Sequence, residues 1–331
     1  MITLHIGLPK TASTLIQSVL SASADKLSEA GVDYLDILRD GEGLGHHTLP
    51  KQLLAANSLD TPAFKALCER VSADRTRHVV VSSEAFTNLI VARNRVTFLA
   101  MTEALSTYGA VRIVIALRRV DDFFSSMYLH SIKTGEVHDQ LSCYVEKRRQ
   151  WSMSLFNGLR LLRQQGLVDE LLVIKYASKQ AFSRCMLAAI LSDTELVDDL
   201  ATMQSRNVAV THKAHVALAN LDAVNARIGY NLRRFPLIRA FEMGRFAFPT
   251  DQRSFRVIEP HLAKVVHSEA LAAAEHCGER DYCVFFEGDS VPELAPVSLD
   301  ISHLEDADFA ALGDYAQRAR ERGDKAAFVN A

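Results

Sequence analysis

The stretch MITLHIGLPKTASTLIQ, residues 1 to 17, organises this chain of 331 residues. Residues 2–6 are typical of a buried strand, a turn follows from Gly7 to Pro9, and Lys10 leads through several hydroxyl residues into a helix. The first turn of a helix presents unpaired N–H groups and the positive end of the macrodipole, so it stabilises an anion. Lys10 adds a full positive charge. The stretch therefore predicts a phosphate-binding loop after the first strand.

The spacing of this loop differs from the GxxxxGK[ST] loop of nucleotide triphosphatases, in which lysine follows a second glycine. Here the lysine comes three residues after the only glycine. The order strand, GLPKTAST, helix resembles instead the 5'-phosphosulfate loop of the sulfotransferase superfamily, whose bacterial and carbohydrate-modifying members often carry HIGxxKTGTTxLQ. The residues that fit are His5, Ile6, Gly7, Lys10, Thr11, Thr14, Leu15 or Ile16, and Gln17. Ala12 stands where the family commonly has glycine, and an ordinary capped helix is the alternative interpretation.

The resemblance implies that the chain binds 3'-phosphoadenosine 5'-phosphosulfate (PAPS) and releases adenosine 3',5'-bisphosphate (PAP). It implies a catalytic role for Lys10, which would donate to the bridging oxygen as the S–O bond breaks. It also implies no need for a metal, because the leaving phosphate can be neutralised by lysine. The residues expected to hold the phosphosulfate are Gly7, Lys10, Thr11, Ala12, Ser13 and Thr14.

A second motif follows the apolar run 111–117, which predicts a strand buried on both faces. Arg118, Asp122, Ser126 and Tyr128 reproduce the RxxxDxxxSxY spacing of the sulfotransferase 3'-phosphate site. Arg118 offers a planar fork to phosphate oxygens, and Ser126 offers a hydroxyl about two helical turns further on. The roles of their neighbours Arg119, Asp121 and Ser125 cannot be separated from the sequence.

Two candidates for a general base come from other segments. The run HVVVSS at 78–83 predicts a strand, and Glu84 follows at its carboxyl end, where α/β proteins place ligands. Sulfotransferases commonly have their base at this strand end, so the resemblance makes Glu84 a candidate; a helix cap or an ion pair with arginine is the alternative. His46 and His47, in a glycine-rich loop, are candidates for acceptor binding or proton transfer. Of the two, we expect His47 to be a catalytic residue. The sequence is equally compatible with two solvated loop histidines that have no functional role. No third ligand is spaced to form a metal site with them.

Composition and charge exclude several classes of protein. The net charge of −3, with 48% apolar and 23% charged residues, favours neither nucleic acid nor an anionic membrane as partner. The five cysteines are an odd number at wide spacings, which indicates reduced thiols. No apolar run approaches the roughly 20 residues of a membrane span, and the first strand leaves no room for a signal peptide. We expect a cytoplasmic protein without a membrane span; its oligomeric state cannot be read from the sequence.

An excess of arginine marks residues 227–256, against only Glu242 and Asp251. Such a segment either recognises an anionic acceptor or forms a solvated face of ion pairs, and the sequence leaves both open. The arginines are Arg227, Arg233, Arg234, Arg239, Arg245, Arg253 and Arg256.

The predicted fold is α/β: a three-layer, P-loop-like domain with a central parallel sheet flanked by helices. Its strands lie near 2–6, 32–35, 78–83, 111–117 and 170–175, and helical insertions follow in the second half. We expect one domain over 1–288 and an acidic extension with a short helix over 289–331. The RKGxxGDWK ending of cytosolic small-molecule sulfotransferases is absent, so the resemblance favours a carbohydrate or glycolipid acceptor, with a hydroxyl or amine as nucleophile.

Two other functions compete with this interpretation. A kinase-like phosphoryl transferase would also use a phosphate loop, but it would need a magnesium site, and no suitable aspartate with a hydroxyl is evident. A catalytically inactive module that binds a nucleotide or a glycan would retain the loop without turnover.

Overall fold

The computed structural model describes residues 1–39, 43–91, 95–136, 140–176, 180–200, 211–243, 246–248, 257–289, 291, 296 and 298–328. Contacts within the chain divide it into two compact units. The first unit comprises Met1–Val120, Arg149–Gln204 and His267–Ser290, and the second comprises Asp121–Arg148, Ser205–Val266 and Val291–Ala331. This division differs from the predicted split into 1–288 and 289–331, because two segments from the middle of the chain pack with the carboxyl-terminal residues.

The first unit contains a sheet of five strands, all parallel, in the order β2-β3-β1-β4-β5. The predicted α/β class and all five predicted strands are confirmed. The strands are β1 (Ile2–His5), β2 (Val32–Tyr34), β3 (His78–Ser82), β4 (Val111–Leu117) and β5 (Glu170–Lys175).

Helices flank the sheet and make up most of the remaining chain. They are α1 (Ser13–Ala22), α2 (Ala24–Glu29), α3 (Thr48–Ala56), α4 (Pro62–Ala73), α5 (Phe86–Val91), α6 (Arg95–Ser106), α7 (Val120–Thr134), α8 (Leu141–Glu146), α9 (Trp151–Gln164), α10 (Gln180–Leu191), α11 (Thr194–Leu200), α12 (His212–Ala219), α13 (Leu221–Ile228), α14 (Arg234–Glu242), α15 (Pro260–Cys277), α16 (Arg280–Phe286) and α17 (Asp306–Glu321), with short 3₁₀ turns at Asp36–Leu38, Ile301–His303 and Lys325–Ala327.

One face of the sheet forms a core with α1, α10 and α11. Val80, Val114 and Ala116 of the strands are fully buried there against apolar side chains of these helices, among them Ile16 and Met186. The strands form because β-branched and aliphatic side chains cover both faces of a parallel sheet. Thr3, in the central strand, has a polar neighbour inside the sheet, since its Oγ1 lies 2.8 Å from His78 Nε2.

The second unit is built from helices around its own apolar cores. The main core contains Leu218, Leu237, Phe241 and Leu312, and Phe241 stacks on Phe248 with ring centroids 5.7 Å apart. The expected carboxyl-terminal helix is present as α17, a helix of 16 residues that contributes Leu312 to this core. Within the described ranges, none of the helices combines the length and apolar character needed to cross a bilayer.

Candidate functional site

The order of the strands creates a topological switch point between β1 and β4. The chain leaves β1 toward β2 on one side of the sheet and leaves β4 toward β5 on the other side, while β1 and β4 are direct neighbours. Ligands of α/β proteins bind at such a switch point, outside the carboxyl ends of the strands. The residues that follow these two strands are the lysine loop and Arg118, the two segments that the sequence singled out.

Side-chain donors hold the carbonyl groups of the loop between β1 and α1. Thr87 Oγ1, on α5, donates to the carbonyl oxygens of Ile6 and Gly7, each 3.2 Å away. Thr11 Oγ1 donates to the Leu8 carbonyl oxygen at 2.5 Å. These bonds fix the peptide planes of the loop, and they turn several of its carbonyl oxygens toward protein donors and away from an incoming anion.

The hydroxyl residues of the loop differ in exposure. Thr11 is buried, and Ser13 is buried with Oγ donating to Leu8 O over 3.4 Å. Thr14, in the first turn of α1, is exposed. The contacts of Thr11 and Ser13 are therefore bonds that shape the loop, and Thr14 is the hydroxyl that faces solvent.

Two residues of this loop have left-handed backbone conformations, Lys10 with φ of 65° and Ala12 with φ of 61°. A side chain in this conformation costs about 1 to 2 kcal/mol relative to glycine, because Cβ approaches the following carbonyl oxygen. Ala12 occupies the position at which the resembling family commonly has glycine, and its backbone adopts the conformation that glycine favours. The structure thus gives a physical reason for glycine at that position.

The N-terminus of α1 carries no internal anion. Its N-cap residue is Ala12, which provides no side-chain hydrogen bond, and the first turn contains no acidic residue. The Leu15 N–H donates to Ala12 O at 3.0 Å, so the N–H groups of Ser13 and Thr14 are the donors that this end offers, together with the positive end of the helix dipole. A phosphate or phosphosulfate fits this chemistry.

Arg118 contacts the loop directly. Its Nη1 donates to the Lys10 carbonyl oxygen at 3.0 Å, and its Cζ lies 5.1 Å from the centroid of the Tyr176 ring. Tyr176 follows β5, and its N–H donates to Leu117 O at 2.7 Å. The guanidinium is therefore held between the loop after β1 and the aromatic ring after β5.

The residues of the second motif alternate in exposure. Arg118, Asp122 and Ser126 are half-buried. Arg118 precedes α7, and Asp122 and Ser126 lie four residues apart on that helix. Arg119, Asp121 and Ser125, which the sequence could not distinguish from them, are buried. Ser126 belongs to the second unit, so the phosphate site predicted for Arg118 and Ser126 stays a prediction.

Tyr128, the last residue of that motif, is a core residue of the second unit. It is buried and packs edge-to-face against Tyr144, with ring centroids 5.4 Å apart. Packing in this core accounts for the tyrosine at position 128.

The candidate bases Glu84, which follows β3, and His47, which precedes α3, lie close together. The Oε2 atom of Glu84 is 4.0 Å from Nδ1 of His47, and both side chains are about one quarter exposed. His47 Nδ1 is also 2.7 Å from Ser83 Oγ. The buried Gln17 donates from Nε2 to Glu84 Oε2 at 2.9 Å. Among the described residues, Glu84 makes no ion pair with an arginine.

His46 points away from solvent and differs from its neighbour His47. It is fully buried, and its Nδ1 accepts from the Ser82 N–H at 2.9 Å, so a proton sits on Nε2 of the neutral ring. Burial, aided by the charge of Arg39, lowers the pKa of His46 to about 3. A group that stays neutral across the physiological range is a structural support and a poor proton acceptor.

His5, at the end of β1, is a second buried histidine beside the loop. Its Nδ1 lies 2.8 Å from Ser82 Oγ, and burial lowers the pKa of its imidazole to about 4, with Glu84 acting in the opposite direction. A Cβ added to Gly7 would lie 2.8 Å from His5 Nε2 and 2.7 Å from Ser13 Oγ. A side chain at position 7 would therefore have to displace His5 and Ser13.

A comparison of the chain with protein-family models, with curated proteins and with solved structures found no match. The sulfotransferase interpretation therefore depends on the two motifs and on the geometry that surrounds them. In the part of the chain that the structure describes, no group of three His, Cys, Asp or Glu side chains could hold a metal ion.

The arginine-rich segment contributes at least two structural contacts. Arg227 pairs with the exposed Asp306 and lies over the Phe309 ring, and Arg234 donates to the Ile132 carbonyl oxygen at 2.8 Å. These contacts favour the structural interpretation for the two residues. Arg245, Arg253 and Arg256 lie outside the described residues.

Sequence reasoning gave no role to several residues that support the site. Gln17 was visible as the last residue of the HIGxxKTGTTxLQ pattern, although nothing in the pattern indicates that it contacts Glu84. Thr87 and Tyr176 carry no such signal, because their contacts depend on which strands become neighbours.

Proposed function

We propose that this protein is a PAPS-dependent sulfotransferase. The observation that carries the proposal is the hydrogen bond from Arg118 to the Lys10 carbonyl, which joins the lysine loop to the residue after the neighbouring strand. The two cationic residues are thus in direct contact, through the Lys10 main chain, at a switch point of the sheet. A nucleotide with one phosphate at each end of its ribose requires two such neighbouring positions.

The lysine loop would bind the 5'-phosphosulfate. The uncapped N-terminus of α1 and the Thr14 hydroxyl supply neutral donors, and Lys10 supplies charge. When bound, the nucleotide supplies the sulfuryl group and a phosphate as leaving group. Lys10 would donate to the oxygen from which sulfur departs, and a donor of this kind is commonly worth about 3 to 4 kcal/mol.

Arg118 would bind the 3'-phosphate. One of its donors is used by the Lys10 carbonyl, which leaves further N–H groups of the same planar fork for phosphate oxygens. The role that the motif predicts for Ser126 at the same phosphate stays a prediction. Arg118 is half-buried, which is compatible with a role in binding.

Glu84 and His47 would serve the acceptor. The Glu84 carboxylate takes the proton from the attacking hydroxyl or amine, while His47, 4.0 Å from Glu84 Oε2, stabilises the carboxylate or receives the proton in its place. Such a base contributes about 10² to 10⁴ in rate. We propose a carbohydrate or glycolipid as acceptor class, and a cytoplasmic location for the enzyme.

The proposal is tested by transfer of radiolabelled sulfate from PAPS to a panel of sugars, glycolipids and phenols. We expect transfer to at least one glycan, loss of about 10³-fold or more in Lys10→Ala, and a smaller loss in Glu84→Gln. Lys51→Ala, in the exposed part of α3, is a matched control that removes a lysine outside the loop.

Two results would contradict the proposal. Tighter binding of ATP with magnesium than of PAP would favour a kinase-like phosphoryl transferase. Binding of PAP without transfer to any acceptor in the panel would favour an inactive nucleotide-binding module.

A further inference from the structure

Gln17 connects the helix of the phosphate loop to the candidate base. It lies on α1 one turn after Ser13, its side chain is 2% exposed, and its Nε2 donates to Glu84 Oε2 at 2.9 Å. A hydrogen bond from a neutral donor to a carboxylate is about twice as strong as a bond between two neutral groups. A buried primary amide without such a partner would lower the stability of the folded protein.

The packing around Gln17 leaves its amide little freedom to move. A Cβ added at Gly45 would lie 2.7 Å from Gln17 Nε2 and 2.8 Å from His47 Nε2. The backbone at Gly45 therefore covers both side chains, and a larger residue at this position would displace them. Gln17, Glu84 and His47 thus form one packed group, which we call the Gln17 cluster.

The Gln17 cluster also has a fixed relation to the strand ends. The Ser83 N–H donates to the His5 carbonyl oxygen at 3.0 Å, and Ala85 N–H donates to Ser83 Oγ at 3.2 Å. The segment that carries Glu84 is therefore bonded to the end of β1, from which the phosphate loop departs. The loop and the Glu84 segment have two connections, one through the sheet and one through α1.

We propose that Gln17 is a positioning residue, which sets the place of the Glu84 carboxylate relative to the phosphate loop. The inference rests on the proposed sulfotransferase function and assigns a role that neither motif describes. Attack in line with a breaking bond requires reacting groups within a few tenths of an ångström of their productive positions. Gln17 lies on the helix that begins directly after the loop, so its hydrogen bond links the Glu84 carboxylate to that loop.

The test compares Gln17→Met, Gln17→Glu and a control, Ser18→Ala. Methionine has nearly the volume of glutamine but cannot donate, and glutamate replaces the donor with a second carboxylate. Ser18 is the next residue on α1, and its hydroxyl donates to Leu15 O of the same helix. The measurements are kcat and KM for PAPS, the pH dependence of kcat/KM, and the Kd of PAP by calorimetry.

We expect Gln17→Met to lower kcat about tenfold while the KM of PAPS and the Kd of PAP stay within twofold of the wild type. In Gln17→Glu, two carboxylates at hydrogen-bond distance will share a proton, so the acid limb of the pH profile moves to higher pH by about one unit. Ser18→Ala should match the wild type. A residue needed only for folding would change the Kd of PAP and the melting temperature without moving the pH profile.

The inference is overturned if Gln17→Met and Gln17→Glu keep the wild-type kcat and pH profile. It is also overturned if both lose activity only in proportion to PAP binding. Failure of the proposed function looks different, because the wild-type protein would then transfer no sulfate, and both proposals would be rejected together.

Discussion

The guanidinium of Arg118 donates a hydrogen bond to the main-chain oxygen of Lys10, across 108 residues of sequence and 3.0 Å of space. The contact exists because β1 and β4 are parallel neighbours whose carboxyl ends lie at the same edge of the sheet. It gives Arg118 two roles under the proposed function, as a phosphate ligand and as a support for the loop. Substitutions of Arg118 separate these two roles.

Replacing Arg118 by alanine should weaken PAP binding by about 30-fold or more, since a charge-assisted contact and a support of the loop are both lost. Arg118→Lys keeps the charge without the planar fork, and it should recover only part of this loss. Calorimetry with PAP and with adenosine 5'-phosphate measures both effects. Equal loss for the two nucleotides in Arg118→Ala would mean that the side chain acts only on the loop.

Arg160→Ala is the matched control for that experiment. Arg160 is also in the first unit, and its guanidinium bonds Asn157 and Gln164 within α9. We expect its removal to leave the affinity for PAP within twofold of the wild type.

The left-handed conformation of Ala12 gives a prediction about stability. Ala12→Gly should raise the free energy of unfolding by about 0.5 to 1 kcal/mol, because the relief of strain exceeds the added entropy of the unfolded chain. Chemical denaturation measures the change. Ala55→Gly, at an exposed position of the helix α3, should lower the same quantity by about 1 kcal/mol. The same sign for both substitutions would refute the role of backbone strain at Ala12.

Acid should destabilise the first unit through its buried histidines. Burial lowers the pKa of His46 to about 3 and that of His5 to about 4, from an ordinary value of 6.5. Below pH 6.5 the unfolded chain takes up protons that the folded protein does not bind, so the free energy of unfolding falls as the pH drops toward 4. Each such histidine contributes a slope of up to about 1.4 kcal/mol per pH unit in this window.

Urea denaturation between pH 7.5 and 4.5 measures this slope. His46→Asn keeps an acceptor near the position of Nδ1 for the Ser82 N–H but cannot titrate. The variant should therefore be less stable at pH 7.5 and show a smaller loss on acidification. An unchanged slope would mean that His46 is not held neutral in the folded protein.

A buried carboxylate on the edge strand β2 provides a further test of stability. Asp33, on β2, is 9% exposed and accepts hydrogen bonds from both Arg70 and Arg77. Asp33→Asn should lower the free energy of unfolding by about 2 kcal/mol, because two partly buried guanidinium groups lose their counter-charge. Asp60→Asn, which breaks the exposed pair with Lys65, should change it by less than about 0.5 kcal/mol. A loss below about 0.5 kcal/mol in Asp33→Asn would contradict a structural role for the pair.

The sheet could be predicted from the sequence because buried parallel strands are continuous runs of β-branched and aliphatic residues. The runs at 78–82 and 111–117 are short and rich in β-branched residues, which favours a strand over a buried helix, and both strands lie where they were predicted. Helix boundaries depend on local signals as well as on the apolar pattern. After α3 the chain breaks at Asn57, with φ of 48°, and α4 starts with Thr61 as N-cap and Pro62 after it.

The candidate site was only partly predictable, for a different reason. Motif spacing identified Lys10, Arg118 and Glu84, because the order strand, polar residue, helix repeats at each strand end. The supporting contacts of Gln17, Thr87 and Tyr176 depend on the strand order, which no local pattern encodes. The division into two units was also not readable, since α17 packs with helices that precede it by about 70 residues or more.

The most direct test of the central claim is a calorimetric titration of the wild-type protein with PAP, with adenosine 5'-phosphate and with ATP plus magnesium. If the loop after β1 and Arg118 bind the two ends of one nucleotide, PAP should bind about 10- to 100-fold more tightly than adenosine 5'-phosphate, because the 3'-phosphate adds a charge-assisted contact. Equal affinities for these two nucleotides, or a tighter complex with magnesium ATP, would contradict the claim.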